Sequence, residues 1–399
     1  MDELSRPTIK AYGFLESITF PEEDAGARGR VNIVIDSIKM NAVESGTARN
    51  RDAPDLLIVR ILSTLNRLKS LFPEIIWNEG VWIQFELQYC PGSPPAWYLS
   101  AENAYSGPVV RTNIVSAVAL SGRPSGSTPA LDKLKELCEP SAAMRIQTQV
   151  GQVQVPPHVA NTGPFVRVVD VGHASFSAIH QDKTVGSPVL GYFDVGGPVF
   201  FHHRTFPAIF QEASRVPTSG FVVLSHWDFD HYSLAMSQIP ALRQLDWYAP
   251  DQPVGPNAAS LQARLGSKLT LLSVLSYSVG PGLFLWKGTG TPTDRNSSGY
   301  VMQIIRVGGN VLLCGDMPYA MLPSGVGNQF AAITVTHHGG GFTGSPPSPL
   351  GSGSIAAVSY GIPNRYHHPN HVSIGLHRSG GWLIAPTYVT ATNRGDVWL

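Results

Sequence analysis

Two imidazoles and two carboxylates fall within one short run, Ser225-His226-Trp227-Asp228-Phe229-Asp230-His231. Carboxylates held that close repel one another and resist ionising unless a cation lies between them. Imidazole and carboxylate together suit zinc, manganese or iron. The plain alternative is a solvated turn after a core segment, in which these side chains cap the next helix with Asp230 as the N-cap. Metal chemistry is favoured because ligand-type residues recur in matching contexts. They are Gly315-Asp316, His337-His338-Gly339-Gly340 and Asn364-Arg365-Tyr366-His367-His368-Pro369, with Val171-Gly172-His173 and Asp194-Val195-Gly196-Gly197 upstream. Of 13 histidines only His158 precedes residue 170, which places the chemistry in the C-terminal part.

Something must carry these side chains to one place. Residues 221–224, 311–314, 331–336 and 355–360 are short apolar runs, each ending where a ligand-type residue begins. Such runs read as strands buried on both faces, and α/β folds place ligands at the C-terminal mouths of strands. Runs ending at Asp170 and Asp194 repeat the arrangement, and 242–247, 269–275 and 283–286 supply further strands.

The order Asp-Val-Gly, Phe-Asp-Val-Gly-Gly, Ser-His-x-Asp-x-Asp-His, Asn-x-Ser, Leu-Leu-Cys-Gly-Asp, Thr-His-His-Gly-Gly and Asn-x-Tyr-x-His-Pro resembles the metallo-β-lactamase superfamily. Within it, the order is most similar to the nuclease-like domain of the ComEC competence proteins, over roughly residues 163–399. The ending 392–399 looks like that domain's final hairpin. The resemblance implies an αββα sandwich and a site for two divalent ions, zinc or manganese. His226 and Asp228 would face one ion, Asp230 and His231 the other, and Asp316 would bridge them. One of His337 and His338 would complete the second ion's ligand set. Asp228 stands where a third histidine is usual in the superfamily, which makes the first position harder and less selective for zinc. Asp230 is the implied orienter of the attacking water, and His368 the candidate for holding a phosphate or protonating the leaving oxygen; a structural His368 packed on Pro369 is the alternative. Asn296, Ser297, Asn364 and Tyr366 are candidate substrate contacts. His202 and His203 read as ordinary surface residues or as groups behind the ligands.

The implied activity is that of a metal-dependent phosphodiesterase or nuclease acting on DNA or RNA. Hydrolysis of a small ester, lactone or cyclic nucleotide is the second reading, because fold does not fix function. A third makes the chain an effector subunit, for example in a defence assembly, activated by a protein partner bound through its N-terminal region. Lys+Arg and Asp+Glu both number 28, so no global field draws the chain to nucleic acid or to an anionic membrane. A nuclease would need a local basic rim, for which Lys287, Arg295, Arg306, Arg365, Arg378 and Arg394 are candidates.

Cys90, Cys138 and Cys314 are too far apart for a Cys-x-x-Cys pair and read as free buried thiols in a reducing compartment. The acidic start Met1-Asp2-Glu3-Leu4-Ser5 resembles no signal peptide, and no apolar run is long enough to span a bilayer, so a cytoplasmic protein is expected. ComEC proteins carry a membrane channel that this chain lacks, so DNA import is not expected of it. Residues 1–160 read as an N-terminal α+β module and 161–399 as the catalytic domain, with 152–157 as the joint. In the module, the apolar spacing over 56–68 predicts a helix, the alternation over 81–87 a strand, and 130–138 a short helix; 121–127 is a loop.

Overall fold

The computed structural model describes residues 8–20, 29–47, 55–105, 107–121, 128–139, 143–147, 164–184, 186–198, 204–364 and 366–399. The expected joint at 152–157, the loop tip 122–127, His202, His203 and Arg365 lie outside the described residues. Two compact units emerge: Met1–Ala142 with Pro253–Gly266, and Ala143–Gln252 with Ser267–Leu399. This differs from a division near residue 160, since the second unit begins earlier and the first reclaims a piece of the C-terminal part.

In the first unit, β1 (Ile9–Thr19), β2 (Arg30–Lys39), β3 (Leu56–Thr64), β4 (Trp82–Gln88), β5 (Pro95–Ser100) and β6 (Val110–Ala119) close into an antiparallel barrel of order β1-β2-β3-β5-β6-β4. Alternate residues such as Val31, Ile33 and Ile35 on β2 and Leu57, Val59 and Ile61 on β3 fill its interior. Helices α1 (Met40–Glu44), α2 (Leu65–Leu71) and α3 (Pro129–Cys138) accompany it. The helix expected over 56–68 is instead β3 followed by the short α2. Ile58, Val59, Ile61 and Thr64 are β-branched and prefer the pleated surface, and β2 and β5 supply ladders on both sides. The strand at 81–87 and the helix at 130–138 are present as β4 and α3. Helix α3 begins on Pro129, with the Thr128 hydroxyl accepting from the Leu131 N–H.

Beyond residue 142 the chain continues as β7 (Met144–Ile146), β8 (Phe165–Val168), β9 (Phe176–His180), β10 (Val189–Val195), β11 (Phe221–Val223), α4 (Phe229–Met236), β12 (Asp246–Pro250), α5 (Pro256–Leu265) and β13 (Leu269–Leu272). It then forms β14 (Ser276–Gly280), β15 (Leu283–Lys287), α6 (Arg295–Ser298), β16 (Tyr300–Ile304), β17 (Val311–Leu313), β18 (Gln329–Phe330) and β19 (Ala332–Thr334). The last elements are β20 (Ser348–Pro349), β21 (Ile355–Val358), α7 (His371–Ser379), β22 (Leu383–Pro386) and β23 (Val397–Trp398). All but α5 belong to the second unit.

The second unit is a mixed α/β structure with an 8-stranded sheet, β23-β8-β9-β10-β11-β12-β13-β7, and a 7-stranded sheet, β14-β15-β16-β17-β19-β21-β22. Val166, Phe193, Val223 and Leu272 of the first sheet share a core with Leu285, Met302, Val311 and Leu313 of the second. Leu312, flanked by Val311 and Leu313, points the other way and packs with Val358, Trp382 and Ile374 of α7. This period of two explains why β17 is apolar throughout: both faces are buried. Strands β10 to β13 run parallel, as do β17, β19, β21 and β22, which brings the C-terminal ends of the chemistry-bearing strands to a common edge in each sheet.

Two expectations here are corrected. Of the strand over 242–247 only Asp246 and Trp247 lie in β12; Pro240–Gln244 forms a 3-10 turn, tied by the Trp247 indole N–H to the Leu242 carbonyl at 2.9 Å. The C-terminal ending is not a ladder hairpin: β23 pairs with β8, and Tyr388 and Arg394 share an isolated bridge. Among the described residues, no helix is long and apolar enough to cross a membrane.

Helix α5 lies with the barrel. Asp36 of β2, 1 % exposed, accepts from the backbone N–H of Asn257 at 2.8 Å and of Ala258 at 3.4 Å, and from the Asn257 amide. A carboxylate is thus set on the positive end of the helix. Asn257 also donates to the Leu57 carbonyl at 3.0 Å and accepts from the Tyr105 hydroxyl. Burial and the Asp36 charge push the Tyr105 hydroxyl pKa up, so it stays a donor.

Candidate metal centre

Strand β11 ends at Val223, and the next residues turn across the sheet edge before α4 begins at Phe229. Asp228 occupies the N-cap position of α4 but makes no cap hydrogen bond, so capping does not account for it. Two glycines let the backbone close in. A Cβ on Gly196, at the end of β10, would fall 1.5 Å from the Asp230 carbonyl oxygen, and one on Gly315 would fall 2.7 Å from the Ser225 hydroxyl. Gly315 also sits at φ +54°, a left-handed conformation that glycine adopts freely.

Four side chains converge there. His231 Nε2 lies 3.3 Å from Asp316 Oδ1 and 4.0 Å from Asp230 Oδ1, while His338 Nε2 lies 3.6 Å from Asp230 Oδ2 and 3.8 Å from Asp316 Oδ1. Ligands about 2.1 Å from a tetrahedral ion stand about 3.4 Å apart. A ring nitrogen of His226 comes within 4.8 Å of the His231 and Asp316 ligand atoms. His226 Nε2, His231 Nε2, His338 Nε2 and Asp316 Oδ1 are all buried, and none has a partner in hydrogen-bond geometry. Buried polar atoms are ordinarily satisfied, so a convergent set of unsatisfied ones fits a cation.

The far side of each imidazole is anchored. His231 Nδ1 meets Asp194 Oδ2 at 2.9 Å, His226 Nδ1 meets the Ser225 hydroxyl at 2.9 Å, and His338 Nδ1 meets the Ser359 carbonyl at 3.2 Å. Asp194 is 0 % exposed and also accepts from the Ser225 N–H at 2.8 Å and from the Ser225 and Ser175 hydroxyls. Carboxylates or carbonyls behind ligating histidines fix ring and tautomer in metal sites.

Charge points the same way. Burial alone would raise Asp230, but His338 and His231 hold it down at about 2. Burial likewise opposes ionisation of Asp316, yet His231, His337 and His338 keep it well below the usual carboxylate range. Burial would lower His231 and His338, but Asp316 and the other facing carboxylates raise both. Without another cation, protons on imidazoles balance the carboxylates; a divalent ion would replace them, leaving neutral histidine ligands.

Of the histidine pair, His338 is the one turned into the cage. His337 and His338 both adopt left-handed backbone, φ 52° and 54°, an uncommon conformation for non-glycine residues. His337 is left with 32 % of its side chain exposed and its Nε2 3.8 Å from Asp316 Oδ2. His368 lies close by, its ring 5.2 Å from that of His337 and 5.4 Å from that of His173. Tyr366 stacks on His173 at 5.3 Å.

The remaining candidates do other things. Asn364 donates to the Gly361 and His368 carbonyls at 2.8 and 2.6 Å and accepts from the His368 N–H at 2.9 Å, so it shapes the loop that presents His368. The Ser297 hydroxyl donates to Asp294 Oδ2 at 2.5 Å, inside the start of α6. Asn296 is half-buried beside it. Asp228 lies between two partners, its Oδ1 2.8 Å from Arg295 Nη2 and its Oδ2 3.5 Å from His226 Nε2.

Sequence reasoning missed Arg295 as a site residue, as well as Asp194, Ser225 and His173, although the runs ending at Asp194 and His173 were visible signals. Three of the six candidate rim cations face inward. Arg295 pairs with Asp228, Arg394 with Asp170, and Arg306 donates to the Leu399 carbonyl at 3.0 Å. The cysteines are free; Cys314 is buried, and Cys90 and Cys138 are half-buried. In comparison with known proteins, no protein-family model and no curated protein matches this chain.

Proposed function

We propose that the second unit is an αββα sandwich of the metallo-β-lactamase type and works as a metal-dependent hydrolase, with a phosphodiester as substrate. The order of motifs along the chain supports the fold. The observation that supports the activity is the convergence of buried ligand-type atoms without a partner in hydrogen-bond geometry, His231 Nε2, His338 Nε2 and Asp316 Oδ1, with Asp230 Oδ2 3.6 Å from His338 Nε2. Two carboxylates and two imidazoles suit zinc or manganese. A divalent ion held there supplies a water acidified to near-neutral pKa and a Lewis acid for a phosphoryl oxygen.

The chain's own residues do the rest. Asp230, with 28 % of its side chain exposed, can orient a water or accept its proton. His337, with 32 % of its side chain exposed, and His368, its ring 5.2 Å from that of His337, would hold a phosphoryl oxygen and protonate the leaving oxygen. Asp194 keeps His231 in the tautomer that presents Nε2 to the cage.

A small phosphodiester, cyclic nucleotide or ester is the second reading. It is favoured by the inward turn of Arg295, Arg306 and Arg394, which removes three of the cations a long nucleic acid would need. The test is hydrolysis of single- and double-stranded DNA and RNA and of bis(p-nitrophenyl) phosphate under added manganese or zinc. Asp230→Ala and His231→Ala should each lower turnover by about 1,000-fold or more with folding retained, the scale on which loss of a central catalytic group acts. Unchanged turnover in both variants, or wild-type protein that binds no metal, would refute the reading.

A further inference from the structure

We infer that Tyr319 and His377 are positioning residues for the candidate site: their buried hydrogen bond holds the segments after β17, β19 and β21 in one register, and through them Asp316, His338 and His368. The inference rests on the metal-dependent reading above.

The pair differs in kind from its surroundings. Tyr319 belongs to an apolar cluster with Val301, Leu312, Phe330, Ile374 and Trp382. Into that cluster the fold places a phenol only 5 % exposed and an imidazole 0 % exposed. Polar groups so buried cost free energy unless they are hydrogen-bonded, and a phenylalanine and a leucine would fill similar space without that cost. The hydrogen bonds run in a fixed direction. His377 Nδ1 lies 2.7 Å from the Ser373 carbonyl oxygen, one turn back on α7. A carbonyl only accepts, so the neutral ring carries its proton on Nδ1 and leaves Nε2 to accept from the Tyr319 hydroxyl at 2.8 Å. Burial keeps the ring neutral against the pull of the Ser373 carbonyl. The Thr336 backbone N–H, just before His337 and His338, acts on the same hydroxyl oxygen.

The bond joins segments that leave different strands. Tyr319 stands three residues beyond Asp316, after β17, and His377 lies on α7, whose N-cap Asn370 follows His368-Pro369. The segment after β19 meets both. Phe342 packs edge-on against the Tyr319 ring at 4.7 Å and the His377 ring at 5.5 Å. Further hydrogen bonds carry the lock toward the site. The Ala320 N–H donates to the Thr343 carbonyl at 2.9 Å, the His337 N–H to the Gly315 carbonyl at 3.0 Å and the Asn370 N–H to the Gly339 carbonyl at 2.8 Å. The Thr336 hydroxyl donates to the Met317 carbonyl at 2.8 Å. Gly340 comes so close to His368 that a Cβ there would fall 2.7 Å from the imidazole Nε2. A slip at the Tyr319–His377 bond is therefore passed to the residues that form the site, where a misplacement of about 1 Å can cost about 100-fold in rate.

The experiment compares removal of the bond with its replacement. Tyr319→Phe deletes the hydroxyl, His377→Leu deletes the acceptor, and His377→Gln supplies an amide oxygen in the place of Nε2. Each full-length variant is checked for folding by circular dichroism. Affinity for Mn2+ and Zn2+ is then read by calorimetric titration, and kcat and KM on bis(p-nitrophenyl) phosphate. Tyr319→Phe and His377→Leu should each weaken metal binding about 10-fold and lower kcat with KM within about twofold, whereas His377→Gln should stay within about threefold of wild type in both. Wild-type metal affinity and kcat in folded Tyr319→Phe would overturn the inference. So would His377→Gln as weak as His377→Leu, because ring shape and not the bond would then be what matters. The same affinity pattern without any hydrolysis would uphold the inference for the metal centre and overturn the hydrolase reading. Wild-type protein that binds neither metal would overturn both, and should His377→Leu fail to fold, Tyr319→Phe and His377→Gln decide.

Discussion

Asp194 sits behind the cage, yet four groups depend on it: the His231 ring, the Ser225 N–H and the Ser225 and Ser175 hydroxyls. Asn at this position is nearly isosteric but can present an N–H where His231 Nδ1 needs an acceptor. Asp194→Asn should lower metal affinity by about 10- to 100-fold, measured by calorimetric titration, with a melting temperature close to that of the wild type. A drop no greater than experimental scatter would mean that Asp194 is only structural. The residues that converge were legible in the sequence because several lie in one contiguous run and the others follow apolar strands. Arg295 was not: a sequence displays a charge but not its direction, and the run Asp294-Arg295-Asn296-Ser297 reads equally well as a solvent-facing turn. The choice between His337 and His338 was hidden for a similar reason, since it is made by two left-handed residues whose conformation no side-chain pattern announces.

At the scale of elements, apolar runs buried on both faces were readable wherever a glycine, aspartate or histidine marked their ends. They failed where such punctuation was missing. Over 56–68 the spacing fits both a helix face and a barrel strand, and the partners β2 and β5 decide the outcome through pairings distant in sequence. Helix α5 is a sharper case: nothing local to 253–266 shows that its first turn is capped by a carboxylate of β2. Removing that carboxylate strands the buried N–H groups of Asn257 and Ala258. Asp36→Ala should accordingly cost about 2–3 kcal/mol, seen as a lower midpoint of denaturant unfolding for the first unit. A cost under about 0.5 kcal/mol would show that water or another donor set replaces the cap.

Across the whole molecule, equal numbers of acidic and basic residues, 28 of each, leave pH dependence to individual buried groups. His180 is lowered chiefly by burial, with the Ser187 carbonyl opposing and Arg167 assisting; His377 is lowered by burial against the pull of the Ser373 carbonyl. Both stay neutral in the fold below the pH at which an unfolded histidine, with a pKa of about 6.5, takes up its proton. The unfolded state therefore binds more protons, and stability falls as pH drops from about 6.5 toward the depressed folded pKa values. His231 and His338 would act in the opposite sense when metal-free, so the measurement belongs on metal-loaded protein. His180→Gln/His377→Gln should flatten melting temperature against pH between about 5 and 6.5. An unchanged slope would assign the acid limb to other groups.

The capture of α5 by the barrel also has a meaning in time. Residues 9–119 supply every strand of that barrel, but the helix that answers Asp36 is encoded after β12. A ribosome must add more than a hundred residues in between, on the order of ten seconds of synthesis. Throughout that interval the nascent barrel carries a carboxylate whose partner does not yet exist, so its closure becomes complete only once part of the second unit has been made.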